Sequence, residues 1–84
     1  MNRTAVESSN ILSVGYQSKE RRLEVEFHNN AVYQYSDVPM AVWTEIMRRH
    51  KSKESIGKYF NANVRNTYKY ERVFDSKMRP QEMY

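Results

Sequence analysis

Basic residues are concentrated between positions 48 and 72 of this sequence. This segment contains eight of them and only two acidic residues, Glu54 and Glu71. The eight are Arg48, Arg49, Lys51, Lys53, Lys58, Arg65, Lys69 and Arg72. Cations spread through several elements can neutralise phosphates, which gives binding that weakens steeply with salt and depends little on base sequence. The competing interpretation is an ordinary solvated surface, in which Arg48 and Arg49 complement the negative end of a helix.

Aromatic residues are interleaved with these cations, as Tyr59, Phe60, Tyr68 and Tyr70. Such a mixture is typical of surfaces that stack unpaired bases while holding the phosphate backbone. We expect Tyr59 and Phe60 to be buried, because they share one stripe of a helix, whereas burial and base stacking stay open alternatives for Tyr68 and Tyr70. The predicted nucleic-acid-binding residues are therefore Arg48, Arg49, Lys51, Lys53, Lys58, Arg65, Tyr68, Lys69 and Tyr70.

The other reactive residue types do not form a catalytic set. His28 follows Glu26 on an alternating segment and His50 lies among arginines, and neither has a nucleophile close by in the sequence. Two glycines and no cysteine exclude a glycine-rich phosphate loop, thiolate metal sites and disulfides. Two histidines cannot hold zinc by themselves. The sequence predicts a non-enzymatic domain without a metal or cofactor.

A β-hairpin stands at the centre of the chain. Apolar and polar residues alternate over 23–27, which is typical of a strand with one buried face, and Tyr33 and Tyr35 resume the alternation. A three-residue loop over 28–30 with Asn30 left-handed puts the tyrosines on the apolar face, whereas a two-residue loop puts them on the polar face as a stacking platform. We predict the three-residue loop, because it gathers five large side chains.

Two further segments are predicted to be extended. Leu12, Val14 and Tyr16 alternate as a first strand, which the polar turn 17–22 joins to the hairpin. Connections this short join neighbouring strands, so a three-stranded antiparallel meander is expected. The segment over 67–74 alternates weakly and is a candidate for pairing with the sheet.

The period changes to that of a helix near Pro39. Residues recurring at helical spacing there are Val38, Val42, Trp43, Ile46 and Met47. Ser52 is the predicted N-cap of a second helix from about Lys53 to Asn61. Gly57 costs this helix about 1 kcal/mol relative to Ala, which predicts a close backbone approach there. The predicted fold is α+β, a three-stranded antiparallel β-meander with two α-helices packed on one face.

The length of 84 residues corresponds to one small domain. We predict it over 8–74, between flexible segments at 1–7 and 75–84. Net charge is +4 and the positive excess lies after residue 39, which favours an anionic partner, either nucleic acid or an acidic protein. No apolar run approaches the roughly 20 residues that cross a bilayer, and no signal peptide is evident, so we expect a cytoplasmic protein without membrane contact.

Short motifs in a fixed order resemble one known family. They are SSN-I-x-x-VGY from Ser8, LEVEF from Leu23, V-Y-x-Y from Val32, V-P at 38–39, S-x-G-K-Y-F-N from Ser55 and V-R-x-x-Y-x-Y from Val64. Together, over 6–73, they resemble the KTSC domain, a module found alone in bacterial and phage proteins and at the C-terminus of some lysyl-tRNA synthetases.

The resemblance implies corresponding positions and a role. Tyr33 and Tyr35 match the family's central tyrosine pair, and Gly57 and Asn61 match positions in its second helix, whereas Asn30 replaces the usual glycine of the hairpin corner. Attachment to a tRNA-handling enzyme implies RNA binding, by association and not by mechanism. The alternative is a protein-interaction module that docks its basic face on an acidic partner.

Overall fold

The computed structural model describes residues 3–73 of the chain. It contains a five-stranded antiparallel sheet and two helices, with the strands adjacent in chain order. The elements are β1 Thr4–Ala5, β2 Ile11–Gln17, β3 Arg22–Phe27, β4 Val32–Tyr35, α1 Met40–Ser52, α2 Ile56–Asn63 and β5 Tyr70–Val73. Neither helix is long and apolar enough to span a membrane, within the part of the chain that the structure describes.

The α+β class is confirmed, but the predicted three-stranded sheet is wrong, because one strand is added at each edge. β5 pairs antiparallel with β4 and sets Tyr70 opposite Tyr35, as the weak alternation over 67–74 suggested. β1 pairs with β2 over two residues, too few to show any alternation in the sequence. The flexibility of 1–7 stays a prediction, and the predicted tail 75–84 lies outside the described residues.

The three-residue loop of the central hairpin is confirmed. The Phe27 N–H donates to the Ala31 carbonyl at 2.9 Å, and the Asn30 N–H donates to the Phe27 carbonyl at 2.9 Å. Asn30 has a φ of 69°, a left-handed conformation that Asn adopts more readily than most residues. The resulting register puts Tyr33 and Tyr35 on the apolar face of β3.

β2 contains a bulge that its alternation did not predict. Ile11 pairs with Phe27 but Ser13 pairs with Glu26, so Leu12 is an extra residue on this strand. Ile11 is consequently 1% exposed and belongs to the core, whereas Leu12, expected to point inward, is 36% exposed.

Helix α1 packs on the apolar face of the sheet through the predicted stripe. Val42 and Ile46 are buried in the core. Trp43 stacks on Tyr16 of β2, with ring centroids 5.7 Å apart and planes inclined by 13°. The Tyr16 hydroxyl donates to the Val38 carbonyl at 2.6 Å, which fixes the start of the helix against the sheet.

Helix α2 begins three residues later than predicted. Ser52 is the last residue of α1, and its hydroxyl donates to the Arg48 carbonyl at 3.0 Å. Lys53, with a φ of 60°, reverses the chain before the second helix can begin. Ser55 is the N-cap, because its hydroxyl accepts the Lys58 N–H at 3.1 Å.

Gly57 is closely approached, but by a side-chain oxygen and not by the predicted backbone. A Cβ at this position would lie 3.1 Å from the Ser8 hydroxyl oxygen. That oxygen also accepts the backbone N–H groups of Asn10 and Ile11 at 3.4 and 3.3 Å. Gly57 therefore lets the segment before β2 lie directly against α2.

The opposite face of the sheet carries a polar network around two carboxylates. The Ser13 hydroxyl donates to Glu26 at 2.9 Å, and the Gln34 amide donates to Glu24 at 2.9 Å. The Arg3 guanidinium lies 3.2 Å from Glu24 and 3.7 Å from Glu26. Pairing of this kind offsets the cost of removing charged groups from water.

Candidate nucleic-acid interface

The predicted basic residues do not form one uniform surface, because Arg48 and Arg49 are engaged by carboxylates. Arg48 lies 2.7 Å from Glu45 and 2.8 Å from Glu54. Arg49 lies 2.7 Å from the same Glu45 oxygen, and its guanidinium stands 5.0 Å from the centre of the Tyr59 ring. A phosphate at this end of α1 would have to compete with two carboxylates.

The pKa values of this network show how strongly its members interact. Hydrogen bonds from Arg48 and then Arg49 lower the pKa of Glu45 to about 2. A hydrogen bond from Arg48 is also the main cause of the lowered pKa of Glu54. Partial burial raises the pKa of Tyr59. Both carboxylates therefore stay ionised at neutral pH and hold their arginines.

We expect this network to persist in acid. Because the folded state depresses the pKa of Glu45, its contribution to stability is complete above the ordinary pKa of 4.5 and is lost as pH falls through about 2. An NMR titration of the Glu45 carboxyl should have a midpoint near 2. In the Arg48→Gln variant the midpoint should rise toward 4.5. An unchanged midpoint in that variant would contradict the assigned cause.

All four lysines of the predicted set are exposed, namely Lys51, Lys53, Lys58 and Lys69. Among residues 3–73, no carboxylate lies within 4 Å of their ammonium groups. Tyr68 is half-buried and packs against the core. These lysines can attract an anion from solution, whereas Tyr68 is held by the domain interior.

Arg65 and Tyr70 are brought together in a cleft of about 650 Å³ between the sheet and the end of α2. We call it the Arg65–Tyr70 cleft. Its other lining residues come from the segment before β2, the hairpin corner, β4 and the turn after α2. Of the nine predicted residues, only these two line the cleft.

One wall of the cleft is aromatic. The Tyr70 ring centroid lies 5.4 Å from that of Tyr33 and 5.3 Å from that of Tyr35. Phe27 meets Tyr33 edge to face at 5.6 Å. Tyr35 is 2% exposed, but Tyr70 is 56% exposed. The neighbouring rings therefore hold Tyr70 in place while leaving much of it accessible.

The other wall is polar and includes Asn61 of α2 with Arg65 and Asn66 of the following turn. Within residues 3–73, none of these three side chains has a hydrogen-bond or ion-pair partner. Burial and then Tyr70 raise the pKa of Tyr35 to about 12. The positive charge of Arg65 acts in the opposite direction on this pKa, so Arg65 lies near the Tyr35 hydroxyl. The cleft thus combines an unpaired cation, free amides and an exposed ring.

The hairpin corner forms the rim of the cleft with His28 and Asn29. The Nε2 atom of His28 lies 2.9 Å from the Ser8 carbonyl, which can only accept, so this nitrogen donates and Nδ1 is left as an acceptor in the neutral ring.

Sequence reasoning missed His28, Asn29, Asn61 and Asn66 as site residues. The high Asn content of 61–66 could have indicated Asn61 and Asn66 as site residues. The alternative arrangement, in which Tyr33 and Tyr35 form a stacking platform, is not formed, since Tyr35 is buried, although half-buried Tyr33 lines the cleft. Within the described range, no group of three His, Cys, Asp or Glu residues could hold a metal ion.

Together, the sheet order, the two helices on one face and the cleft define a small α+β domain of the meander type. The family model for the KTSC domain matches residues 7–68. The chain belongs to the KTSC domain family.

Two relatives and one solved structure match most of this chain, and the solved structure is that of a KTSC domain protein. The chain is 35% identical over 74 residues to an uncharacterized protein of Stutzerimonas stutzeri strain A1501, with 87% of this chain and 99% of that protein covered. It is 33% identical over 67 residues to a lysine–tRNA ligase of Trichormus variabilis, covering 80% of this chain but 11% of the ligase. A crystal structure of a KTSC domain protein from Yersinia pestis matches with a TM-score of 0.73 and 30% identity, over 86% of this chain and 96% of the other.

Proposed function

We propose that this chain is a non-enzymatic domain that binds nucleic acid, with RNA as the favoured ligand, in the cytoplasm. The observation that carries the proposal is the Arg65–Tyr70 cleft, where a guanidinium without a carboxylate partner among residues 3–73 lies near an exposed tyrosine ring. Arginine with an accessible aromatic ring is the combination that holds a phosphate and a base together.

The distribution of charge supports the same ligand class. The exposed lysines 51, 53, 58 and 69 add unpaired positive charge to the C-terminal half of the domain. Arg48 and Arg49 contribute less than the sequence suggested, because Glu45 and Glu54 occupy them. RNA is favoured over DNA because one relative is a lysine–tRNA ligase, an enzyme that acts on tRNA.

Fluorescence anisotropy of labelled single-stranded RNA, tRNA and duplex DNA with the full chain tests this proposal. Affinity should fall linearly on a log–log plot against salt, with a slope that counts the neutralised phosphates. Lys58→Glu with Lys69→Glu should weaken binding at low salt and make the slope shallower, because both lysines lie in the basic half of the chain.

The matched control is Lys19→Glu with Arg21→Glu, which makes the same change in net charge at exposed positions in the turn between β2 and β3. If the control pair weakens binding as much as the test pair, the basic half of the chain is not the binding surface. Absence of binding to all three ligands at low salt would overturn the proposal and favour docking on an acidic protein.

A further inference from the structure

We infer that the Arg65–Tyr70 cleft is a site for one unpaired nucleotide of a single strand, with its base on Tyr70 and its phosphate at Arg65. The inference rests on the proposed function and narrows it, because it excludes a paired helix as the preferred ligand. The specific contacts with RNA are then made in the cleft and not by the basic residues at the end of α1.

The size of the cleft suits one nucleotide. Its volume of about 650 Å³ lies within the range of small-molecule sites, roughly 300–1,000 Å³. Bases inside a duplex are stacked on both faces and cannot lie against a protein ring, whereas the bases of single strands and loops can. The cleft therefore selects nucleotides whose base is free of the stack.

Tyr70 is suited to stacking because its ring already packs against two neighbouring rings when β5 is paired in the sheet. It stands on β5 opposite Tyr35, and its ring contacts those of Tyr33 and Tyr35 at 5.4 and 5.3 Å. Little side-chain freedom is left to lose when a base arrives, and 56% of the residue is exposed to receive it.

Arg65 is suited to a phosphate because its backbone is anchored and its guanidinium is unpaired. Its N–H donates to the Phe60 carbonyl at 3.1 Å, which fixes the residue at the end of α2. Among residues 3–73 no carboxylate lies within 4 Å of its side chain, whereas Arg48 has both Glu45 and Glu54. A phosphate at Arg65 displaces no protein partner, so the full charge is available.

Asn61 and Asn66 complete the site with hydrogen-bonding groups. Both line the cleft, and neither side chain has a hydrogen-bond partner in the described part of the chain. An amide offers a donor and an acceptor side by side, which matches the edge of a nucleobase. These residues can hold a base that is stacked on Tyr70.

Affinities of full-length variants for a seven-nucleotide single-stranded RNA, and for an RNA duplex, test the inference. Tyr70→Ala should weaken single-strand binding by about 5- to 150-fold, the usual effect of losing one stacked base. Tyr70→Phe keeps the ring and should stay within about 2-fold of wild type, which controls for folding of β5. Arg65→Gln should also weaken binding and make the salt slope shallower by about one.

Arg21→Gln is the matched control, because it removes the same charge at an exposed position in the turn between β2 and β3, outside the cleft. In ¹H–¹⁵N NMR spectra, the RNA should shift the backbone signals of 65–70 more than those of 48–53. If RNA binds but the cleft variants weaken binding no more than Arg21→Gln does, or if the duplex binds more tightly, the inference is overturned while nucleic-acid binding stands. Absence of RNA binding at low salt overturns both.

Discussion

Phe60→Ala is expected to lower the free energy of unfolding by about 3–5 kcal/mol. Phe60 is 1% exposed, and its ring meets Phe27 at 5.8 Å and Tyr35 at 5.3 Å. It is thus the main aromatic link between α2 and the central hairpin. Because a small domain is stabilised by only about 5–15 kcal/mol in total, this change should bring the protein close to unfolding.

Urea unfolding followed by the fluorescence of the single tryptophan, Trp43, measures this effect. Met40→Ala on α1 is the control, because Met40 is 50% exposed and its removal should change stability by less than about 0.5 kcal/mol. A loss below about 1 kcal/mol for Phe60→Ala would mean that α2 does not rely on this ring.

Tyr35→Phe is expected to protect the fold against alkali. Burial, then neighbouring Tyr70, raise the pKa of Tyr35 to about 12, from an ordinary 10.0. The stability linked to the protonated hydroxyl is complete below pH 10 and is lost as pH rises through 12, because the unfolded chain ionises first. At about 1.4 kcal/mol per pKa unit, wild type should lose roughly 2–3 kcal/mol that the variant keeps.

Urea unfolding of both proteins at pH 8, 10, 11 and 12 provides the comparison. Near pH 8 the two should agree closely, since the Tyr35 hydroxyl has no hydrogen-bond partner among residues 3–73. Subtracting the unfolding free energy of the variant from that of wild type at each pH cancels the contribution of the other tyrosines. Parallel curves from pH 10 to 12 would show that Tyr35 ionises equally in both states.

The parts of the fold that local chemistry determines could be predicted from the sequence. The tolerance of Asn30 for a left-handed conformation set the loop length, and the loop length set which face carries Tyr33 and Tyr35. The apolar stripe of α1 could also be predicted, because its residues recur at helical spacing. By contrast, the bulge at Leu12 and the choice of Ser55 over Ser52 as N-cap depend on how segments meet in space, which alternation and capping preference do not encode.

The candidate site was less predictable, for reasons that differ between its parts. Glu45 precedes Arg48 and Arg49 by three and four residues, the spacing of helical ion pairs, so their pairing was visible in the sequence. The approach of Arg65 to Tyr70 was not, because it requires β5 to pair with β4 and Tyr70 to settle beside Tyr33. Long-range pairing of a weakly alternating strand has no local signature.

The position of β5 in the sheet has a consequence for dynamics. β5 is a four-residue strand at the edge of the described sheet, and three of its residues are exposed. Such strands open by local fluctuation at a lower free-energy cost than the core. Because Tyr70 belongs to β5, each opening removes the exposed Tyr70 ring from the aromatic wall of the cleft, while the core around Phe60 stays folded. A ligand held against Tyr70 would therefore protect the last strand from hydrogen exchange without making the rest of the domain more rigid.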